Sequence, residues 1–192
     1  MAGRRTDTRE NIQRIALELF TEQGYERTSL REIADRLGVT KAALYYHYRT
    51  KDDIIRGLID DLGEQLDEVI AWGRTQRDPD QLRIGVLQRF AALVESRVGA
   101  LMRCMQQNQA AMRELDVKHV LTGRLSELSE LLCAQETDPA TQLRIRLSLI
   151  AVLFGHNMMF GGGISVPYDS EVVLGVAVDL AATREPAPPT AT

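Results

Sequence analysis

The chain has 192 residues, 44% hydrophobic and 26% charged, with a net charge of −4; this is the balance of a globular protein and excludes a disordered, collagen-like or disulfide-stapled chain. No apolar run reaches the roughly 18–20 residues of a bilayer span, and the basic start has no apolar stretch behind it, so the expectation is a soluble, cytoplasmic protein without membrane contact. Residues 1–51 carry ten Lys and Arg against seven Asp and Glu, and the remainder thirteen against twenty, the asymmetry of a head that meets a polyanion on a body that does not.

Apolar residues recur at helical spacing along the chain and no alternating strand pattern survives, so an all-α fold of about nine helices is expected. The first stripe is Ile12, Ile15, Ala16, Leu19 and Phe20, opened by Asp7 or Thr8 and closed by Gly24. Leu30, Ile33, Ala34 and Leu37 make a short second helix, with Ser29 and Glu32 as its capping box and Gly38 past its end. A third short helix runs from Thr40 to about Tyr48. The fourth starts at Thr50 with Asp53 in the box position, and its stripe extends from Ile54 to Ile70. Asp78-Pro79 and Asp138-Pro139 each open a further helix, with the proline at the first helical position. The first of these is lined by Leu82, Val86, Phe90, Leu93 and Val94, and the second by Leu143, Leu147, Ile150, Ala151 and Phe154. Between them lie a helix around Leu101–Met112 and a long one over Val117–Leu132. Gly161-Gly162-Gly163 is a break, and a last helix spans about Asp169–Ala182. The tail 184–192 has three prolines and no large apolar residue, so disorder is expected there.

Two short helices around Leu37-Gly38-Val39-Thr40 have the spacing of a helix-turn-helix. The second of them reads Thr40-Lys41-Ala42-Ala43-Leu44-Tyr45-Tyr46-His47-Tyr48. Three tyrosines and a histidine in four residues cannot all be buried with their polar atoms satisfied. On the surface, phenol, imidazole, hydroxyl and ammonium groups suit phosphate oxygens, and small Ala42 and Ala43 permit close approach to base edges and thymine methyls.

Together with Ala16-Leu17-Glu18-Leu19-Phe20, Gly24-Tyr25, Thr28-Ser29-Leu30-Arg31-Glu32-Ile33-Ala34 and Lys51, this stretch resembles the TetR family of bacterial transcription regulators over roughly residues 6–66. The resemblance implies phosphate contacts at Thr28, Ser29, Thr40, Tyr46, His47 and Lys51, and residues facing base edges at Arg31, Lys41, Ala42 and Tyr45. It implies a head at 6–66 with the helix-turn-helix at 29–48, and a ligand-binding, dimerising body at 67–183. Tyr25 and Tyr48 are read as packing residues, and Arg4 and Arg5 as either a minor-groove arm or a disordered start.

The body offers two further expectations. Small and β-branched residues on the last two helices, namely Ala151, Gly155, Val172, Val173, Val176 and Ala177, with Leu180 beside them in sequence, suit an isologous helix interface and hence a homodimer. The resemblance implies a cavity in the body, and Met102, Met105 and Met112, with Trp72, Phe90 and Leu93, suit its wall for a small, largely apolar effector, with Gln109, His119 and His156 offering polar groups to orient it. Cys104 and Cys133 lack a CxxC partner and read as small buried hydrophobes. The three histidines share no metal-ligand spacing, and HExxH, GxSxG, P-loop and GxGxxG motifs are absent, so no enzyme, metal or cofactor is expected. The function read from the sequence is a regulator that binds a palindromic operator as a homodimer and is released by a small molecule. Repression is the sign expected from the resemblance, with activation the alternative; a helical protein-binding adaptor is the different-class alternative.

Overall fold

The computed structural model describes residues 2–98, 101, 104, 117–155 and 168–182, with side chains described over 8–96, 101, 104, 121–155 and 168–182. Among the described residues the fold is all-helical: α1 (Ala2–Gln23), α2 (Leu30–Leu37), α3 (Lys41–His47), α4 (Lys51–Arg74), α5 (Pro79–Leu93), α6 (Val117–Cys133), α7 (Pro139–Gly155) and α8 (Ser170–Ala181), with a π-helical turn, Val94–Val98, continuing α5. The chain divides into two compact units, one of residues 1–65 with 96–124 and one of residues 66–95 with 125–192. The sequence division at 66/67 falls beside this boundary, within α4. The described residues among 96–124, namely 96–98, 101, 104 and 117–124, counted with the body from the sequence, group with the first unit.

Local chemistry sets the helix ends. At α2 the Ser29 hydroxyl accepts from the Glu32 amide at 3.2 Å while the Glu32 carboxylate accepts from the Ser29 amide at 2.7 Å, a complete capping box. The Ser29 hydroxyl and amide hold the Glu32 carboxyl below the ordinary glutamate range. Gly38 ends the helix at φ 69°, a left-handed conformation that glycine adopts without Cβ strain. Thr50 and Asp53 cap α4 reciprocally, at 3.0 and 2.9 Å. Asp78 and Asp138 accept from the amides of Gln81 and Thr141 at 2.8 and 2.9 Å. One boundary differs from the sequence reading: α1 runs back to Ala2, past Asp7 and Thr8. A capping residue is only a favoured place to start, and nothing in residues 4–11 is a proline or glycine that would stop the ladder extending.

In the first unit, Ile12, Ala16 and Phe20 of α1 pack with Ile33 of α2, Leu44 of α3 and Ile54 and Ile55 of α4 as its deepest residues, each at most 1% exposed. The second unit is built on α5, α7 and α8, which pack on one another. Gly155 lets α7 approach α8 closely: a Cβ there would meet both methyls of Val173 at 2.8 Å. Gly73 does the same on α4, where a Cβ would meet Leu131 at 2.8 Å. Arg83 lies within this core, 4% exposed, and its guanidinium is 3.2 Å from the Glu136 carboxylate.

Candidate nucleic-acid interface

The α3 helix has seven residues and buries one of them, Leu44. Thr40 caps it by accepting from the Ala43 amide at 3.2 Å, and Tyr48 follows its end, 5% exposed. Anchoring through Leu44 and Tyr48, four residues apart on one face, turns the rest of the helix outward. Lys41, Ala42, Ala43, Tyr45 and Tyr46 are exposed, Tyr46 at 68%. The Lys41 ammonium lies 5.2 Å from the Tyr45 ring centroid, and Tyr46 meets the half-buried His47 edge to face at 5.3 Å. Arg31 of α2 is exposed and only 3.8 Å from Asp35, a pair too loose and too solvated to hold the guanidinium. The surface so formed carries donors and cations beside two methyl-sized side chains, a chemistry suited to phosphates and base edges.

Three residues that the resemblance assigns to phosphate use polar atoms within the protein; Ser29 is one, its hydroxyl and amide both donating to the Glu32 carboxylate at 2.8 and 2.7 Å. Thr28 is 2% exposed, and its hydroxyl donates to the Gly24 carbonyl at 2.9 Å and accepts from Gln23 at 3.2 Å. The half-buried Lys51 ammonium donates to the Tyr25 and Glu26 carbonyls at 2.5 and 3.3 Å and lies 4.4 Å from the Tyr25 ring centroid. Tyr25 is buried, edge-on to Phe20 at 4.9 Å, and its phenol donates to Asp52. Burial and that carboxylate hold the phenol well above the usual tyrosine range. Lys51 and Tyr25 thus clamp the α1–α2 turn onto the first turn of α4.

The residues proposed for a body pocket are placed differently from one another. Phe90 and Leu93 are 1% and 6% exposed in the α5 core. Half-buried Trp72 packs on Gly85 under Arg89, whose guanidinium carbon is 3.5 Å from the indole centroid. Met102, Met105, Gln109, Met112, His156 and the side chain of His119 lie outside the described residues. A cavity of about 470 Å³ in the first unit is bordered by Gln13, Arg14, Leu17, Glu18, Leu58 and Ser96; Trp72, Phe90 and Leu93 do not line it.

Of the residues proposed for the dimer face, Val172 and Val176 are exposed at 52% and 50%, and Ala151, Gly155 and Leu180 are half-buried. Val173 and Ala177 are 4% and 0% exposed within the chain itself, where they serve the packing of α8 on its own unit. The sequence missed further exposed apolar side chains on α7, the helix that α8 packs against. Leu143, Leu147 and Ile150 are 57%, 41% and 49% exposed, although their spacing reads as the inward stripe of α7. The buried face of α7 is Thr141, Ile145, Ser148, Leu149 and Val152. Ser148 is accommodated there because its hydroxyl donates to the Ile145 carbonyl at 2.7 Å. Two apolar faces on one helix were the available signal.

The family described as "Bacterial regulatory proteins, tetR family" matches residues 12–58, the segment carrying α2, the turn and α3. The chain belongs to the TetR family. Among TetR relatives, the HTH-type transcriptional repressor KstR2 of Rhodococcus jostii is 33% identical over 135 residues, 68% of this chain and 58% of that protein. The HTH-type transcriptional regulator TtgR of Pseudomonas putida is 34% identical over 91 residues, 46% of this chain and 43% of that protein. The chain therefore matches about half the length of these curated relatives. The TetR fold extends further: the crystal structure of the TetR family transcriptional regulator PfmR from Thermus thermophilus superposes with a TM-score of 0.63 at 20% identity, covering 88% of this chain and 96% of that one. These proteins are named as regulators of transcription, not as enzymes. Among the described residues, no helix is long and apolar enough to cross a membrane and no cluster of ligating side chains forms a metal site.

Proposed function

We propose that the chain is a transcriptional repressor that binds a palindromic DNA operator as a homodimer and is released by a small, largely apolar effector. The observation that carries the DNA reading is the outward face of α3, where Lys41, Ala42, Ala43, Tyr45 and Tyr46 are exposed together on a helix held by Leu44 alone within its length. Thr40 stands exposed at the start of α3, where its hydroxyl can donate to a phosphate oxygen. The head match with TetR relatives supports the same reading.

The homodimer is supported by the exposed ridge of Leu143, Leu147, Ile150, Val172 and Val176 on α7 and α8. Five half-exposed branched side chains on two adjacent helices form an apolar surface that a lone soluble chain rarely presents. A second copy placed by a two-fold axis covers the same ridge on both chains.

The test is a gel shift on duplexes selected from random sequence, run over a salt series. Binding to a palindromic site should weaken steeply with salt, because phosphate contacts release counterions. Lys41→Ala should relax preference at one symmetric pair of positions, costing about 1–3 kcal/mol on the preferred base. Selection of no sequence by the intact protein would refute the reading.

A further inference from the structure

The recognition helix is short, and one buried side chain within it cannot fix its rotation. The second anchor is Tyr48. Its ring fills the head core, a task phenylalanine performs without a polar atom to satisfy. The hydroxyl is nonetheless there, and it accepts from Arg9 Nε at 3.1 Å and from Gln13 Nε2 at 2.9 Å. Both donors stand on one face of α1, four residues apart.

The same two side chains reach α4. Gln13 Nε2 also donates to Asp61 at 2.5 Å, and the Arg9 guanidinium pairs with Asp61 at 2.9 Å. Below them, Gly57 leaves room for the phenol. A Cβ at that position would meet Tyr48 Cε1 and its hydroxyl oxygen at 3.0 Å each, and Arg9 at 3.2 Å. One hydroxyl therefore joins α1, the end of α3 and α4.

The network is not arranged for stability alone. Gln13 is 1% exposed, and its carbonyl Oε1 is buried without a hydrogen-bond partner. A buried acceptor left unmade is unfavourable. The orientation that strands it is the one that turns Nε2 toward both Tyr48 and Asp61. Geometry is held here at the expense of a satisfied acceptor.

We propose that the Tyr48 hydroxyl, gripped by Arg9 and Gln13 over Gly57 and Asp61, is a positioning device that sets the rotation of α3 and thereby the sequence selectivity of the head. Tyr48 touches no base; it acts through Lys41, Ala42 and Tyr45 on the opposite face of the helix. Base contacts depend on placement within a fraction of an ångström, whereas nonspecific attraction to phosphate does not. The inference rests on the DNA-binding reading above.

The test uses the full chain and two substitutions, Tyr48→Phe and Gln13→Met. Affinity is measured for the operator selected by the unsubstituted protein and for a nonspecific duplex at the same salt, with denaturant unfolding alongside. Both variants should lose about tenfold in operator affinity, the scale of one base contact, while nonspecific affinity stays within about twofold. Gln13→Met removes the stranded carbonyl together with two donated bonds, so its unfolding midpoint should move little while its selectivity falls. A purely structural role would instead lower both affinities together, in step with the folded fraction. An unchanged ratio of specific to nonspecific affinity in both variants overturns the proposal. If the unsubstituted protein selects no sequence, the DNA-binding reading itself falls, and this is seen before any variant is made.

Discussion

Gly85 and Trp72 permit a sharp test of how the second unit is packed. A Cβ at Gly85 would lie 2.7 Å from Trp72 Cζ3 and closer still to Cη2, inside any real contact distance, so Gly85→Ala must drive the indole off α5. Overpacking of this kind costs about 1–3 kcal/mol. The indole also leaves the Arg89 guanidinium, which is itself tied to the Gly85 carbonyl at 3.1 Å, forfeiting about 0.5–1 kcal/mol of cation–π attraction. Against these stands the helix preference for alanine over glycine, about 1 kcal/mol at this interior position of α5. The net expectation is a loss of about 0.5–3 kcal/mol. Trp72 is the one tryptophan of the chain, so its emission reports the displacement directly and should shift to the red in the native variant. In a Trp72→Leu background the clash is gone and only propensity remains, so Gly85→Ala should there stabilise by up to about 1 kcal/mol. Urea unfolding followed by circular dichroism compares the two backgrounds. Equal effects in both, or unchanged emission with undiminished stability, would refute the packing described.

Two further outcomes follow from the site geometry. Leu147→Arg and Val176→Arg, on the exposed ridge of α7 and α8, should leave a folded protein that sediments as a monomer, since each unpaired charge would appear twice in a symmetric interface at several kcal/mol apiece; a folded variant that stays dimeric places the interface elsewhere. Lys51→Ala should cost about 1 kcal/mol of stability, because two charge-assisted bonds to carbonyls are lost at a half-exposed site, and should change the log–log salt slope of DNA binding by well under one unit; a drop of a full unit with stability intact would make Lys51 a phosphate contact instead.

Helix positions were legible in the sequence wherever caps and stripes agreed. Ser29 with Glu32, Thr50 with Asp53, and the two Asp-Pro starts each named a boundary that the hydrogen bonds reproduce, because capping is local chemistry. The outward turn of α3 was legible for a similar reason, since its polar atoms outnumber any buried partners. What was not legible was which face of a helix meets its own core. In α7 the stripe of Leu143, Leu147 and Ile150 is exposed while Ser148 is buried, and hydrophobicity alone ranks those positions in the opposite order. Val173 and Ala177, expected at a dimer face, are buried within the chain itself, because small side chains suit close packing within a chain as well as between chains. Thr28 and Lys51 show what resemblance alone leaves out: the residue types match, while the Thr28 hydroxyl donates to Gly24 and two of the three Lys51 donors go to Tyr25 and Glu26. The Tyr48 network joins residues 35 and 48 positions apart, beyond the reach of any local pattern.

The ridge on α7 and α8 bears on dosage. A regulator that assembles through such a surface is a competent reader of a palindrome only when paired. While protomers are dilute relative to their own dissociation constant, the number of pairs rises as the square of the amount of chain made, by mass action. Halving synthesis then cuts the pairs on hand to about a quarter, and occupancy of a weak operator follows. If the proposed pairing holds, the three leucine and isoleucine side chains exposed on α7 would set how abruptly operator occupancy responds to the abundance of the protein, independently of any effector.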